Sequence, residues 1–433
     1  MADVRAFRGY RYDLGKVGPL SDVVCPPYDV IDGGLQKELY AKSPFNAVRV
    51  ELTTDEPGDT DANNKYTRAA NAFREWQLEN ALVQDTARSL YMYEQEFTVD
   101  GTPFVRRGFL ARVRLEPFGT GRIFPHEQTL SGPKADRLKL YHATGFNVSP
   151  IFGLYPDEAN EVAAALAPAV AGSPPRVATD HLGVVHRLWV VTDQQVISKV
   201  VGLLGPKPVY LADGHHRYET GLKYLDERRA AGEVPDDEAP PNYCLMMLVG
   251  MSDPGLVILP THRLVSGLPA VSTEQFRSAI RDHFDVVSDA PDAAACWQDV
   301  ELDGSQTVLG FGTVADGKWV VARLKDPAEM ARLAPDHSAA WRGLAVSVLH
   351  RLVLDRLVPA KLGSPANCRY VHTLKEVTDA VTAKGCQLAC LVPPATMAHV
   401  ETIAGHRETM PAKSTYFYPK VLTGLVFNSL KKD

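Results

Sequence analysis

An apolar run, Pro208-Val209-Tyr210-Leu211, that passes through Ala212-Asp213-Gly214 into His215-His216-Arg217-Tyr218 constrains the fold of this chain more than any other segment. From Thr220 to Arg229 the spacing is helical, with no glycine or proline after Gly221, so the segment predicts a strand-turn-helix corner. Backbone N–H groups and the positive end of a helix dipole converge at such a corner, where an anion, above all a phosphate, is stabilised. Arg217 adds a planar fork that matches a phosphate or carboxylate through two parallel hydrogen bonds. Polar groups this dense directly after a buried strand are costly as core filling, and loops on rigid scaffolds commonly carry chemistry. Asp213, Gly214, His215, His216 and Arg217 are therefore expected to form a phosphate-binding turn. The plainer alternative is two solvated loop histidines beside a capping aspartate.

With 433 residues the chain exceeds the size at which one core stops growing, about 250 to 300 residues, so two or three lobes are expected. An acidic connector between prolines, 230–241, sets a soft boundary: residues 1–240 carry the motifs above and below, and residues 241–433 complete the core. Between 271 and 325 helix and strand signals alternate, as a small subdomain or insert would show. The net charge of −6 argues against a protein that coats nucleic acid, which needs clustered Lys and Arg. Six cysteines lie scattered, with only Cys386 and Cys390 close together, so reduced thiols are expected rather than a zinc site. No apolar run reaches the ~18 residues of a membrane span and the first residues lack an apolar signal core, so a cytoplasmic location is expected.

Other elements place the remaining candidates. Val23-Val24-Cys25-Pro26-Pro27-Tyr28-Asp29 fixes an extended path that displays Asp29 on a constrained turn, suited to an amine, a hydroxyl or a metal, and equally to an Asx turn. Residues 60–84 read as an amphipathic helix with Phe73 and Trp76 on its apolar side. Residues 89–99 and 104–115 flank Asp100-Gly101 as a hairpin. Pro125-His126-Glu127 precedes a helix that Ser131 could cap, with Pro133 in its first turn and Lys134 and Arg137 three apart on one face. A strand ends in Thr261-His262-Arg263, a helix is expected from Ala339 to Leu357, and a polar turn, Lys413-Ser414-Thr415, lies near the C-terminus.

Taken together these groups supply a carboxylate able to act as base, cations that suit a phosphate, and hydroxyl donors. That set suits phosphoryl transfer, in which catalysis is mostly positioning and charge stabilisation. Glu127 is the expected general base, with His126 and Asp213 as catalytic partners. Lys134, Arg137, Lys413, Ser414 and Thr415 are expected to bind phosphate, and Asp29, His262 and Arg263 to bind substrate. Lys413-Ser414-Thr415 lacks the glycines of a Walker motif, no His-Glu-x-x-His is present, and no Gly-x-Ser-x-Gly elbow occurs. The identity of any metal ligand is open at this level; Mg²⁺ held by Asp213 or Glu127 with donor phosphates is favoured over a zinc cage.

Several blocks in order give the chain a resemblance to the largely uncharacterised bacterial and archaeal family catalogued as domain of unknown function 1015. They are Val24 to Val30, Pro125-His126-Glu127, Ser131 to Leu138, Asp213 to Tyr218, Leu259 to Arg263 and Lys413 to Phe417. The Asp213-Gly214-His215-His216-Arg217 corner also resembles the phosphate-binding turn of the ParB/sulfiredoxin superfamily, and among its members it is most similar to the free serine kinases. The resemblance implies an α+β (mixed α/β) fold with a ParB/sulfiredoxin-like core and additional lobes. It implies a donor of phosphate, ATP, ADP or pyrophosphate, held by Asp213 to Arg217, and a small hydroxyl metabolite, with free L-serine first, as acceptor. The kinases' base is a glutamate in an earlier segment, for which Glu127 is the nearest match. Sulfiredoxins carry a cysteine in this turn, where this chain has histidines. A ParB-like nucleotide-binding regulator or DNA-associated protein is the competing class, although no basic recognition helix follows the corner. The expected partners are thus a small substrate and a nucleotide or pyrophosphate, with no membrane and no nucleic acid, and a homo-oligomer is left open.

Overall fold

Asp100 and Gly101, both with positive φ (48° and 79°), fold Leu90–Val99 back on Thr102–Arg114 as an antiparallel hairpin, as the Asp-Gly signal predicts. The computed structural model describes residues 2–127, 131–363 and 367–431. The chain divides into two units, the first comprising Met1–Pro125, Thr129–Leu256 and Pro419–Asp433, the second His126–Gln128 and Val257–Tyr418. Helices and strands are mixed throughout, so the fold class is mixed α/β.

In the first unit the hairpin lies within a nine-stranded sheet. Its order is Ile123–Phe124, Val209–Asp213, Ile151–Tyr155, Tyr243–Gly250, Thr102–Arg114, Leu90–Val99, Val185–Val191 and Arg176–Thr179, with Val4–Arg5 paired to Thr102–Arg114. Because side chains alternate across a strand, the sheet has two distinct faces. Leu90, Met92, Phe109, Ala111, Leu211, Met246 and Leu248 point to one face and pack on Val162, Leu166, Ile197, Val200, Tyr218 and Leu225 of three helices, burying the main apolar core. The other face carries Tyr91, Tyr93, Gln95, Arg106 and Arg112. It meets the N-terminal segment through Phe7 and Gly9 and the C-terminal segment through Pro419, Lys420, Leu422 and Asn428.

The second unit holds a six-stranded antiparallel sheet in the order Phe284–Ala290, Lys318–Leu324, Val308–Thr313, Leu388–Leu391, His262–Ser266, Asn367–Val371. Its core gathers Leu264, Trp297, Val300, Val321, Val377 and Leu391.

Several expectations shift. The division falls after Leu256 rather than at residue 240, because Tyr243–Gly250 is a central strand of the first sheet. Residues 271–325 do not stand apart: their strands pair within the second sheet. The helix expected from Ala339 to Leu357 breaks at Gly343 into Ala339–Arg342 and Ala345–Val348, followed by a widened helical stretch, Leu349–Leu357. The helix expected over 60–84 spans Lys65–Leu78, capped by the Asn64 side chain, and Leu82–Gln84 is a strand. A helix runs from Ser131 to Thr144, while the capping role expected of Ser131 and the place of Pro133 fall outside the described side chains.

Gly108 has no room for a side chain: a Cβ there would meet the Leu248 carbonyl at 2.5 Å and a Val249 methyl at 2.6 Å. The Gly108→Ala variant should lose about 2 kcal/mol in urea unfolding, because a backbone neighbour cannot rotate away. An unchanged midpoint would mean that the two strands separate freely.

Candidate functional site

The strand Val209–Asp213 ends on Asp213, and Gly214 (φ 88°) turns the chain directly into the helix His215–Ala230. The helix thus begins at His215, five residues earlier than its spacing suggests, because glycine adopts the left-handed conformation at no steric cost. Gly214, at the cap position, has no side chain to offer, and the N–H groups of the first turn, on His215, His216 and Arg217, lie at the positive end of the helix. His215 is buried and His216 half-buried; the His216 carbonyl accepts the Thr220 hydroxyl at 2.7 Å.

Arg217 does not reach outward. Its guanidinium, 3% exposed, turns back to donate to the Asp213 carboxylate and the Pro150 carbonyl. Burial alone would lower its pKa, but Asp213, Asp29, Glu51 and Tyr28 outweigh that cost and hold it charged and above its ordinary value. The other Asp213 oxygen accepts from Lys420 Nζ. One carboxylate therefore lies between two cations at a helix N-terminus. Lys420 is a residue that sequence reasoning passed over.

Asp29 sits exposed on the one-turn helix Tyr28–Val30, close enough for its charge to act on Arg217. The turn is pinned from within: the Tyr28 N–H donates to Glu51 Oε1 at 3.0 Å, and the Arg137 guanidinium lies over the Tyr28 ring at 4.3 Å. Arg137 is buried, donating to the Glu51 carbonyl at 2.7 Å and to the Asp136 carboxylate. Lys134 instead pairs with Glu219 at 2.6 Å near the surface. Lys134 and Arg137 thus face different partners, and the joint phosphate grip expected from their spacing does not form. Burial, with Asp29 and Glu51 near, pushes the Tyr28 phenol well above its ordinary pKa.

In the second unit a separate group forms. His126 is fully buried, its Nε2 2.7 Å from the Thr415 hydroxyl and its ring edge-on to Phe417. Its carbonyl accepts the Met410 N–H at 2.7 Å, and the neighbouring Glu127 carboxylate accepts the Lys413 N–H. Lys413 has φ 59°, and the Ser414 hydroxyl closes the turn on the Pro411 carbonyl at 2.5 Å. The structure therefore brings Pro125-His126-Glu127 and Lys413-Ser414-Thr415 together, two motifs far apart in sequence. Arg263 lies beneath this turn, fully buried, donating to the Lys413 carbonyl at 2.8 Å and to the Thr261 carbonyl. His262 is buried edge-on to Trp297 and accepts the Val392 N–H at 3.3 Å. His262 and Arg263, two of the three residues expected to touch substrate, are buried and hydrogen-bonded within this unit. Among the described residues no group of three metal-ligating side chains is gathered, all six cysteines are free thiols, and no helix is long and apolar enough to cross a membrane.

A family model described as "Protein of unknown function (DUF1015)" matches residues 4–348. No curated protein matches the chain. Among solved structures it is similar to a conserved hypothetical protein from Pyrococcus furiosus (10% identity, 69% of this chain and 89% of that one, TM-score 0.33). It is also similar to a free serine kinase in complex with AMP (10%, 69% and 88%, 0.34) and to SbnI with a C-terminal truncation from Staphylococcus aureus (12%, 75% and 90%, 0.34). These are remote likenesses, and no residue's role is taken from them.

Burial, with Arg263 and His372 nearby, pushes the His262 pKa down to about 3. An unfolded chain titrates near the ordinary ~6.5, so between these values it holds one more proton than the folded chain, and stability rises with pH. The contribution is present in full above about pH 6.5 and is lost as the pH falls toward 3. His262→Gln, which keeps an acceptor for Val392, should flatten the loss of stability between pH 6 and 4 by up to ~1.4 kcal/mol per pH unit. Urea unfolding across that range checks this, and parallel profiles for the two proteins would contradict it.

Proposed function

The chain belongs to the family described as protein of unknown function DUF1015, and we propose that it is a phosphotransferase acting on a small hydroxyl metabolite. The carrying observation is the Asp213 corner: a helix N-terminus opened by a left-handed glycine, beside a carboxylate shared by Arg217 and Lys420. Such a place is charged and shaped for phosphate oxygens. Its Asp-Gly-His-His-Arg sequence supports the same reading, since it resembles the turn of the free serine kinases.

In this reading the first-turn N–H groups and Lys420 hold the donor, ATP, ADP or pyrophosphate, while Arg217 acts from behind by fixing Asp213. Mg²⁺ would enter with the donor, held mostly by phosphate oxygens and water, and would offset the donor's charge. Asp29, the exposed carboxylate whose charge reaches Arg217, accepts the proton of the acceptor hydroxyl, and the freed oxygen attacks the terminal phosphorus. The bridging P–O bond then breaks, and its electron pair leaves on the donor, where the corner's positive charge stabilises it. L-Serine is the leading acceptor.

The test is phosphate transfer from ATP, ADP and pyrophosphate, each with Mg²⁺, to a panel of alcohols led by L-serine. Asp29→Asn should cut kcat by ~10² or more while donor affinity stays within a few-fold. Donor binding without transfer by the natural protein would replace this reading with a nucleotide-binding regulator.

A further inference from the structure

Four polar side chains on the face of the first sheet that meets the C-terminal segment have no part in the proposed reaction: Tyr93, Gln95, Arg106 and His186, each 0% exposed. They are arranged in register. His186 lies opposite Gln95, Gln95 lies opposite Arg106, and Tyr93 shares the face two residues away. A guanidinium taken fully out of water is expensive, and burial drives the Arg106 pKa down to about 10.

The partners of Arg106 explain its retention. Its Nε donates to Gln95 Oε1 at 3.0 Å, its Nη2 donates to the same oxygen and to the Pro419 carbonyl, and its plane lies over Phe152 at 4.7 Å. With its oxygen engaged, Gln95 turns its amide N–H to the Lys420 carbonyl at 3.0 Å. The Tyr93 hydroxyl, 2.6 Å from His186 Nδ1, accepts the Leu422 N–H at 3.5 Å. Residues 419–422 lie outside any strand, yet side chains of the sheet hold their backbone.

We infer that Gln95 and Arg106 are positioning residues for Lys420: they fix the two carbonyls at the root of its side chain so that the ammonium is delivered to Asp213. The kinetic consequence rests on the reading of the Asp213 corner as the donor site; the placement of Lys420 does not. A lysine stem has four flexible carbons, and fixing its root restricts where its charge can go.

Gln95→Glu separates this role from folding. It keeps an acceptor for Arg106 and adds a charge beside the guanidinium, but it has no N–H for the Lys420 carbonyl. In the full chain, acetylation of Lys420 by a water-soluble acylating reagent, measured by peptide mass spectrometry against the exposed Lys375, should quicken about threefold or more in the variant. The donor KM should rise about fivefold with kcat within twofold, a split that a general loss of folded protein would not give. Tyr93→Phe, which deletes one hydroxyl, should shift the Lys420 rate in the same direction and serves if Gln95→Glu does not fold. Wild-type acetylation rates in the folded variants would overturn the inference. If the natural protein transfers no phosphate, the kinase reading fails, and the acetylation rates alone decide the role of Gln95 and Arg106.

Discussion

Asp213 is the point at which three parts of the first unit are tied. It ends the strand Val209–Asp213, it receives Arg217 from the helix that follows, and it receives Lys420 from the C-terminal segment. With side-chain exposures of 4% for Arg217 and 16% for Asp213, removal of either partner would strand a charge in poorly solvated surroundings, at a cost of about 3 kcal/mol or more. The corner can therefore keep its shape only while all three segments are in place.

The two faces of the first sheet divide the work. Apolar residues at alternate positions pack on three helices and supply the burial that drives folding. The intervening positions carry a polar row that would be unaffordable in an ordinary core, and it is satisfied by the backbone of residues 419–422. In the second unit the same logic recurs: buried Arg263 meets the carbonyls of Thr261 and Lys413, and so shapes the turn on which Glu127 closes. In both places a buried arginine bonds to backbone carbonyls and fixes a loop that carries candidate chemistry.

The hairpin at Asp100-Gly101, the helix around Phe73 and Trp76 and the corner at Gly214 were legible because turn chemistry and periodicity act locally. The start of the helix at His215 was not, because the histidines look like loop residues until the left-handed Gly214 is known. Arg217 could be read as a phosphate ligand from its chemistry, and only the fold shows that its fork is spent on Asp213 and Pro150. His126 and Thr415 are 289 residues apart, and no local signal pairs them. Lys420 did leave a trace, a lone cation between Pro419 and the apolar Val421-Leu422, as did Glu51 at the end of Val48-Arg49-Val50. Gln95 and Arg106 lie on strands that the hairpin signal placed, but nothing local shows that the face they share is buried under residues 419–422.

The central claim is that Lys420 and the helix N-terminus at the Asp213 corner form an anion site. Isothermal titration of pyrophosphate into the natural protein and Lys420→Ala, at two salt concentrations, tests it most directly. The account predicts a loss of affinity of about tenfold or more in the variant, together with a weaker dependence on salt, since one cation of the site is gone. Equal affinities and equal salt dependence in the two proteins would place the anion elsewhere and remove the basis for a donor site at this corner.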